Sequence, residues 1–281
     1  MVERRVAHRS GRGDAPRWKL AATAMLAAAA TAADEPQTPP DISDAPEFVF
    51  ARLHYDSAGG WGEAFYNYDG RTWERWETDY PEGDRNFARR LAQLTSIVPD
   101  MQGVARRITD PDAFSFPFLY MCDPGYMKMT AEEKRMLGDY LHAGGFLWID
   151  DFWGEGEWWN FEAVMADVLP ETAWREIPSD HPILSSVFNL SGAPQVPAQD
   201  FAVRGWRTDP GWIHRQPATE VEPVHFRGYF DEGGRLMAVA THNTDIGDGF
   251  EREAYGQWYF EKYSTQAYMI GVNIVVYAMT H

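Results

Sequence analysis

The sequence predicts an α/β domain with a mostly parallel central sheet flanked by helices. Three observations predict it. Apolar runs of strand length recur along the chain, stretches with helical period separate them, and turn-forming polar residues close each run. Of the 281 residues, 44% are hydrophobic and 15% aromatic, enough to build a sizeable core.

The elements follow in order. EFVFARLHY, 47–55, is a first apolar strand. Asp56 to Tyr80 carries glycine punctuation and no helical period, the pattern of a loop or irregular hairpin. NFARRLAQLTSIV, 86–98, sets Phe87, Leu91, Leu94 and Val98 on one helical face. FPFLYMC, 116–122, is a second buried strand, stopped by Asp123-Pro124-Gly125. Thr130, with Glu133 three residues on, forms a capping box for the next helix, and Gly144 is a suitable stop. The stretch GGFLWIDDFW, 144–153, holds a third buried strand that ends in the adjacent acids Asp150 and Asp151.

Asn160 to Leu169 reads as a helix. Residues 225–243 read as a hairpin turning at Glu232-Gly233-Gly234, expected to extend the sheet with antiparallel strands. TQAYMIGVNIVVYAM, 265–279, is apolar almost all round, a helix packed on the sheet and short for a membrane span. No internal repeat is visible, and one domain over 47–281 is expected.

The first 33 residues read differently. Six bases from Arg4 to Lys19 precede an apolar run, Leu20 to Ala32, and small residues near Ala30-Thr31-Ala32 follow. That order is a signal peptide, with an apolar run too short to be a permanent anchor. Residues 34–46, rich in proline and acid, read as a disordered linker. The expected location is therefore periplasmic or extracellular. The single cysteine, Cys122, excludes an intrachain disulfide, and no cysteine near the cleavage region offers a lipid attachment point.

Charge narrows the partners. With 42 acids against 25 bases the formal net charge is -17, which repels nucleic acid phosphates and anionic lipid headgroups. A glycan or an envelope protein remains a possible partner.

The helix ending YLHAGG with the strand FLWIDD, the segment SDHPIL at 179–184, and THNTDIGDGFE at 241–251 together resemble the domain-of-unknown-function family 4159. That family looks like a branch of the class I glutamine amidotransferase-like superfamily, near the trehalose-utilisation proteins. The resemblance spans residues 47–281 and implies a flavodoxin-like three-layer sandwich. In amidotransferases the strand after a GG turn leads into a sharp elbow carrying a cysteine nucleophile. Here Asp150 or Asp151 occupies that place, and no Cys-His-Glu triad can be assembled around it. Glutamine hydrolysis is therefore not expected.

Ligands of open α/β sheets bind at the carboxyl ends of the strands. By the strand assignment, Tyr55, Asp123, Asp150 and Asp151 converge there, joined by His181 and by the segment from His242 to Asp248. Adjacent acids on an extended chain point to opposite sides, so only one of Asp150 and Asp151 faces a given pocket. That acid could act with Asp123 and His242 as a general base in a carboxylate- or metal-dependent hydrolase of carbohydrate-type substrates. Equally, Asp150 could cap the next turn and Asp151 be solvated.

Cys122 has no basic neighbour in sequence and reads as a buried core thiol. Asn243, Asp245, Asp248 and Glu251 offer oxygens for a divalent cation, though turn chemistry accounts for the same residues. Trp61, Trp73, Trp76, Trp158 and Trp159, interleaved with acids and glycines, could stack on sugar rings or bury themselves against the sheet.

Overall fold

A computed structural model describes residues 46–60, 62–68, 70–199, 202 and 223–281. The expected signal peptide, the linker up to residue 45 and Trp61 lie outside the described residues. Pro46–His281 forms one compact unit.

The central sheet has seven strands in the order β5-β1-β6-β8-β11-β10-β9. These are β1 (Ala51–Leu53), β5 (Val104–Arg106), β6 (Phe118–Cys122), β8 (Phe146–Phe152), β9 (Arg175–Glu176), β10 (His225–Phe230) and β11 (Leu236–His242). From β5 to β11 all pairings are parallel; β10 is antiparallel to both its neighbours. The five parallel strands run 2-1-3-4-5 in sequence order, the flavodoxin-like arrangement. Two small antiparallel pairs stand apart: β2 (Asp56–Ser57) with β7 (Met127–Lys128), and β3 (Phe65–Tyr68) with β4 (Arg71–Glu74).

Alternation along β8 divides the core. Phe146 and Trp148 pack on one face with helices α1 (Glu82–Leu94) and α5 (Thr265–Thr280). Leu147 and Ile149 pack on the other with α2 (Ala131–His142) and α3 (Gly154–Val168). Helix, sheet and helix make three layers, and α4 (Ile246–Glu251) lies beyond the end of β11. No helix among the described residues is long and apolar enough to cross a membrane.

Several details depart from expectation. The chain from 225 to 242 does form a hairpin, but β11 pairs in parallel with β8, so only β10 runs antiparallel. Helix α1 starts before Asn86 and ends at Leu94, which leaves Leu94 and Val98 exposed while Phe87 and Leu91 are fully buried. Helix α3 starts at Gly154 rather than Asn160. The Thr130–Glu133 capping box is present: Glu133 N–H donates to Thr130 Oγ1 at 3.2 Å and Thr130 N–H to Glu133 Oε2 at 2.8 Å. Helix α5 is buried nearly all round because the segment from Pro182 to Phe188 covers its outer side; Asn273 Oδ1 accepts from Val187 and Phe188 N–H there.

Candidate functional site

The strand order reverses between β1 and β6, and a crevice is expected beside such a reversal at the carboxyl ends of the strands. A cleft of about 140 Å³ opens there. Asp123 enters it from the end of β6, Asp151 from β8 and Asp245 from the residues after β11. Tyr66 and Tyr68 of β3, Trp73 of β4 and Trp153 wall it with rings. Asp79, Glu157, Asp248 and Glu251 add carboxylates, against the guanidinium groups of Arg75 and Arg252.

Local geometry explains how three of these acids reach the cleft. Asp79, Asp123 and Asp151 have φ of 65°, 51° and 57°, and Asn243 has 62°. They are the non-glycine residues with positive φ among the described residues, and Asp and Asn adopt that conformation at the least steric cost. In β8 the left-handed residue produces a bulge against β11 between Ala240 and His242, which re-aims the Asp151 side chain out of the sheet. Its Oδ1 accepts from Trp153 Nε1 at 3.1 Å.

Arg75 ties the wall to the sheet. It donates to Asp123 Oδ2 at 2.6 Å and to the Glu63 and Gly62 carbonyls at 2.7 Å each. Arg71, Arg75 and Arg252 lie over the rings of Trp73, Tyr66 and Tyr68 at 3.7, 5.2 and 5.1 Å, cation–π contacts that stiffen the wall.

The floor crowds carboxyl groups together, which disfavours their charged forms. Burial, with Glu251 and Asp248 close by, pushes Asp79 well above the usual carboxylate range. Burial and the neighbours Asp151, Asp248 and Asp79 do the same to Asp245. Burial and Asp248 raise Glu251 to about 8. Beneath the floor, burial raises Asp150 to about 6, while bonds from Thr241, Gly247 and Tyr120 hold it down.

A model of the family described as Domain of unknown function (DUF4159) matches residues 49–279. The chain belongs to this family. No curated protein matches the chain. The cleft is thus built wholly from the segment shared with other DUF4159 domains.

Of the residues singled out from sequence, Asp123, Asp151, Trp73, Asp245, Asp248 and Glu251 line this cleft. Others do not. Asp150 faces the α1 and α5 layer, fully buried, accepting from Thr241 Oγ1 at 2.6 Å, Gly247 N–H at 2.8 Å and Tyr120 Oη at 3.0 Å. It does not line the cleft. His242 is buried between Phe152 and Trp158, its Nε2 3.0 Å from the Gly154 carbonyl; burial lowers its pKa to about 3 and keeps it neutral.

Tyr55 is buried below the cleft, its hydroxyl 2.5 and 2.7 Å from the Cys122 and Asp123 carbonyls. Trp76 stacks on His54 at 4.2 Å, Trp158 packs in the core, and Trp159 stands 63% exposed on α3, all outside the cleft. His181 accepts from Ile183 N–H and starts the Pro182–Leu184 turn. Asn243 turns its Oδ1 to Gly154 N–H at 2.8 Å, so it caps α3 and is no ligand of the cleft. Cys122 is fully buried, its Sγ 4.0 Å from Asp151 Oδ2; burial and then Asp79 and Asp151 raise its pKa well above the usual thiol value.

Sequence reasoning missed Asp79, Arg75, Glu157 and Arg252. Arg75, in a short 3-10 turn, and Arg252, at the end of α4, stand among other charges, and Glu157 reads as an ordinary first-turn acid of α3. Its Oε2 accepts from Trp153 N–H at 2.7 Å, so it braces the turn behind Asp151. A structural residue outside the cleft did leave a signal. Arg52 interrupts the apolar strand EFVFARLHY, and a charge there requires a buried partner; Asp84 of α1 is that partner, at 2.5 Å.

Proposed function

We propose that this DUF4159 chain is an exported ligand-binding domain without amidotransferase activity, and that its cleft takes a small polyhydroxylated, carbohydrate-type ligand. The observation that carries this reading is the pairing of an aromatic wall with an acid floor in one crevice. Tyr66, Tyr68, Trp73 and Trp153 offer ring surface for the C–H faces of a sugar, and Asp123, Asp151 and Glu157 offer acceptors for its hydroxyls.

The absence of amidotransferase chemistry has separate support. Cys122 is buried among acids that disfavour a thiolate, and no histidine among the described residues is hydrogen-bonded to it. The left-handed Asp151 at the end of β8 is consistent with an acid at the elbow where amidotransferases carry sulfur. A relationship to that superfamily rests on this position and on the order of the sequence segments. The hydrolase alternative asked Asp150 or Asp151 to act with Asp123 and His242; Asp151 and Asp123 share the cleft, and His242 lies outside it. Export rests on the basic, apolar and small-residue order of residues 1–33, and an envelope role follows from export.

Thermal unfolding of the purified protein against mono- and disaccharides tests the reading. A ligand that binds only the native state raises the melting temperature, by about 2.7 kcal/mol of stability at a hundred times its dissociation constant. Trp73→Ala should abolish the shift with the fold intact. No response to any sugar, or turnover of a glycan or an amide, would overturn it.

A further inference from the structure

We propose that the floor of the cleft is a binding site for a hard divalent cation, held by the carboxylates of Asp79, Asp248 and Glu251. The inference rests on the reading of this cleft as the ligand site and adds an ion to it.

The three residues come from separate parts of the chain. Asp79 lies in the turn before α1; Asp248 and Glu251 lie on α4, three apart and so on one face. One oxygen from each lies within 4.8 Å of the others. Oxygen ligands of calcium sit at roughly 2.3–2.6 Å, so two ligands across one ion are separated by up to about 5 Å. The spacing allows all three oxygens to meet one such ion.

Proximity of acids alone would be a poor reason. The second reason is Asp79 itself. It is only 8% exposed, it faces the cleft, and its Oδ2 is buried with no hydrogen-bond partner. Asp79 forms no ion pair among the described residues, whereas Asp248 and Glu251 share Arg252, whose Nε lies 3.1 Å from Asp248 Oδ1 and 2.6 Å from Glu251 Oε2. A buried carboxylate oxygen without a donor is costly, and native proteins retain one where something else satisfies it.

The backbone around Asp79 is fixed rather than accommodating. Arg52 donates to the carbonyls of Trp76 and Thr78, and Gly83 N–H donates to the Asp79 carbonyl at 2.8 Å. Across the site, a Cβ at Gly247 would stand 2.4 Å from Asp79 Oδ2. Only glycine lets α4 approach the unsatisfied oxygen this closely.

The donor set selects the ion. Three carboxylates and no imidazole or thiolate suit calcium, magnesium or manganese rather than a soft metal, with water or ligand hydroxyls filling the remaining positions. A second group, Asp79 with Cys122 and Asp151, shares Asp79 but adds sulfur, and would instead favour zinc.

The test uses the whole purified protein, stripped with chelator and titrated calorimetrically with calcium, magnesium, manganese and zinc chlorides in the absence of sugar. One calcium, magnesium or manganese ion per chain is expected. Asp79→Asn and Glu251→Gln should each weaken it by more than about tenfold, since even outer partners of metal ligands contribute ten- to a hundredfold. Circular dichroism confirms that each variant is folded, and either one alone suffices if the other fails.

No binding below millimolar concentration, or binding undiminished in both variants, overturns the proposal. So does zinc binding lost in Cys122→Ala but kept in Glu251→Gln, which would place the ion in the sulfur-containing group. Sugar titrations with chelator present separate the two readings. A sugar response without cation leaves the ligand site standing and removes the ion's part in it; a cation response without any sugar response does the reverse.

Discussion

Two layers of buried charge lie one above the other in this molecule, and they are satisfied to opposite degrees. In the lower layer Arg52 meets Asp84 through two nitrogen–oxygen contacts, at 3.2 and 2.5 Å, and donates to two carbonyls besides. Its guanidinium also lies over the rings of Tyr120 and Tyr80. Nearby, each Asp150 oxygen has its donors. In the upper layer Asp79, Asp151, Asp245, Asp248 and Glu251 line one cleft, Asp248 and Glu251 share the Arg252 guanidinium, and an oxygen of Asp79 has no hydrogen-bond partner. Charges that hold a fold together are compensated within it. Those left in deficit mark the place where the protein meets something else.

The largest effect is expected in the lower layer. Arg52→Met leaves the Asp84 carboxylate buried and unpaired, and breaking such a pair from one side destabilises by about 3–5 kcal/mol. Urea unfolding should show the midpoint falling with an unchanged slope. A loss below about 1 kcal/mol would mean that the pair is not the keystone its geometry implies, and the contrast between layers would weaken.

Asp150 sharpens the comparison from the same side. Asp150→Ala orphans the Tyr120 hydroxyl and Gly247 N–H, while Thr241 keeps the Ile149 carbonyl; each orphaned buried donor costs about 1–3 kcal/mol, so a loss of roughly 3 kcal/mol is expected. Asp150→Asn behaves differently, because its amide can donate to Thr241 Oγ1 while that hydroxyl donates to the Ile149 carbonyl at 3.0 Å. The pH dependence follows with a definite sign. Asp150 is held near 6 in the folded protein against 3.8 in the unfolded chain, so between these values the native state binds more protons. Stability from this group is therefore fully present below pH 3.8 and falls as pH rises through about 6. Asp150→Asn should flatten that part of the melting-temperature profile and leave the protein at least as stable at pH 7. An unchanged profile would assign the slope to other acids.

The sequence made the scaffold more legible than either layer of charge. Buried strands announce themselves by continuous apolar runs, and the capping box at Thr130 is a local pattern with a local cause. The direction of β11 has no local signature, because a hairpin specifies only the relation between its own two strands; the parallel pairing with β8 is a tertiary fact. The start of α3 was hidden by Gly154 and Gly156, weak helix formers that packing overrides. That only one of Asp150 and Asp151 faces the cleft follows from strand alternation, but which one depends on the bulge at Asp151. Asp79 left no trace at all. It sits between Thr78 and Tyr80 in a long irregular stretch, and what sets it apart is the approach of α4, far along the chain.

The upper layer gives the smallest effect, and it carries the opposite sign. Asp245 accepts the Asp248 N–H at 2.7 Å through Oδ1, an N-cap bond that an asparagine side chain preserves. Burial and three neighbouring acids oppose its charge. Asp245→Asn therefore removes repulsion and keeps the cap, and at pH 7 it should stabilise the ligand-free protein by up to about 1 kcal/mol, a gain of the size common where function holds a site away from its stability optimum. Differential scanning calorimetry of the two proteins decides it. A melting temperature that falls would mean that the Asp245 charge is already compensated. The upper layer would then be a second structural network, and the distinction between compensated and uncompensated charge would no longer locate the site.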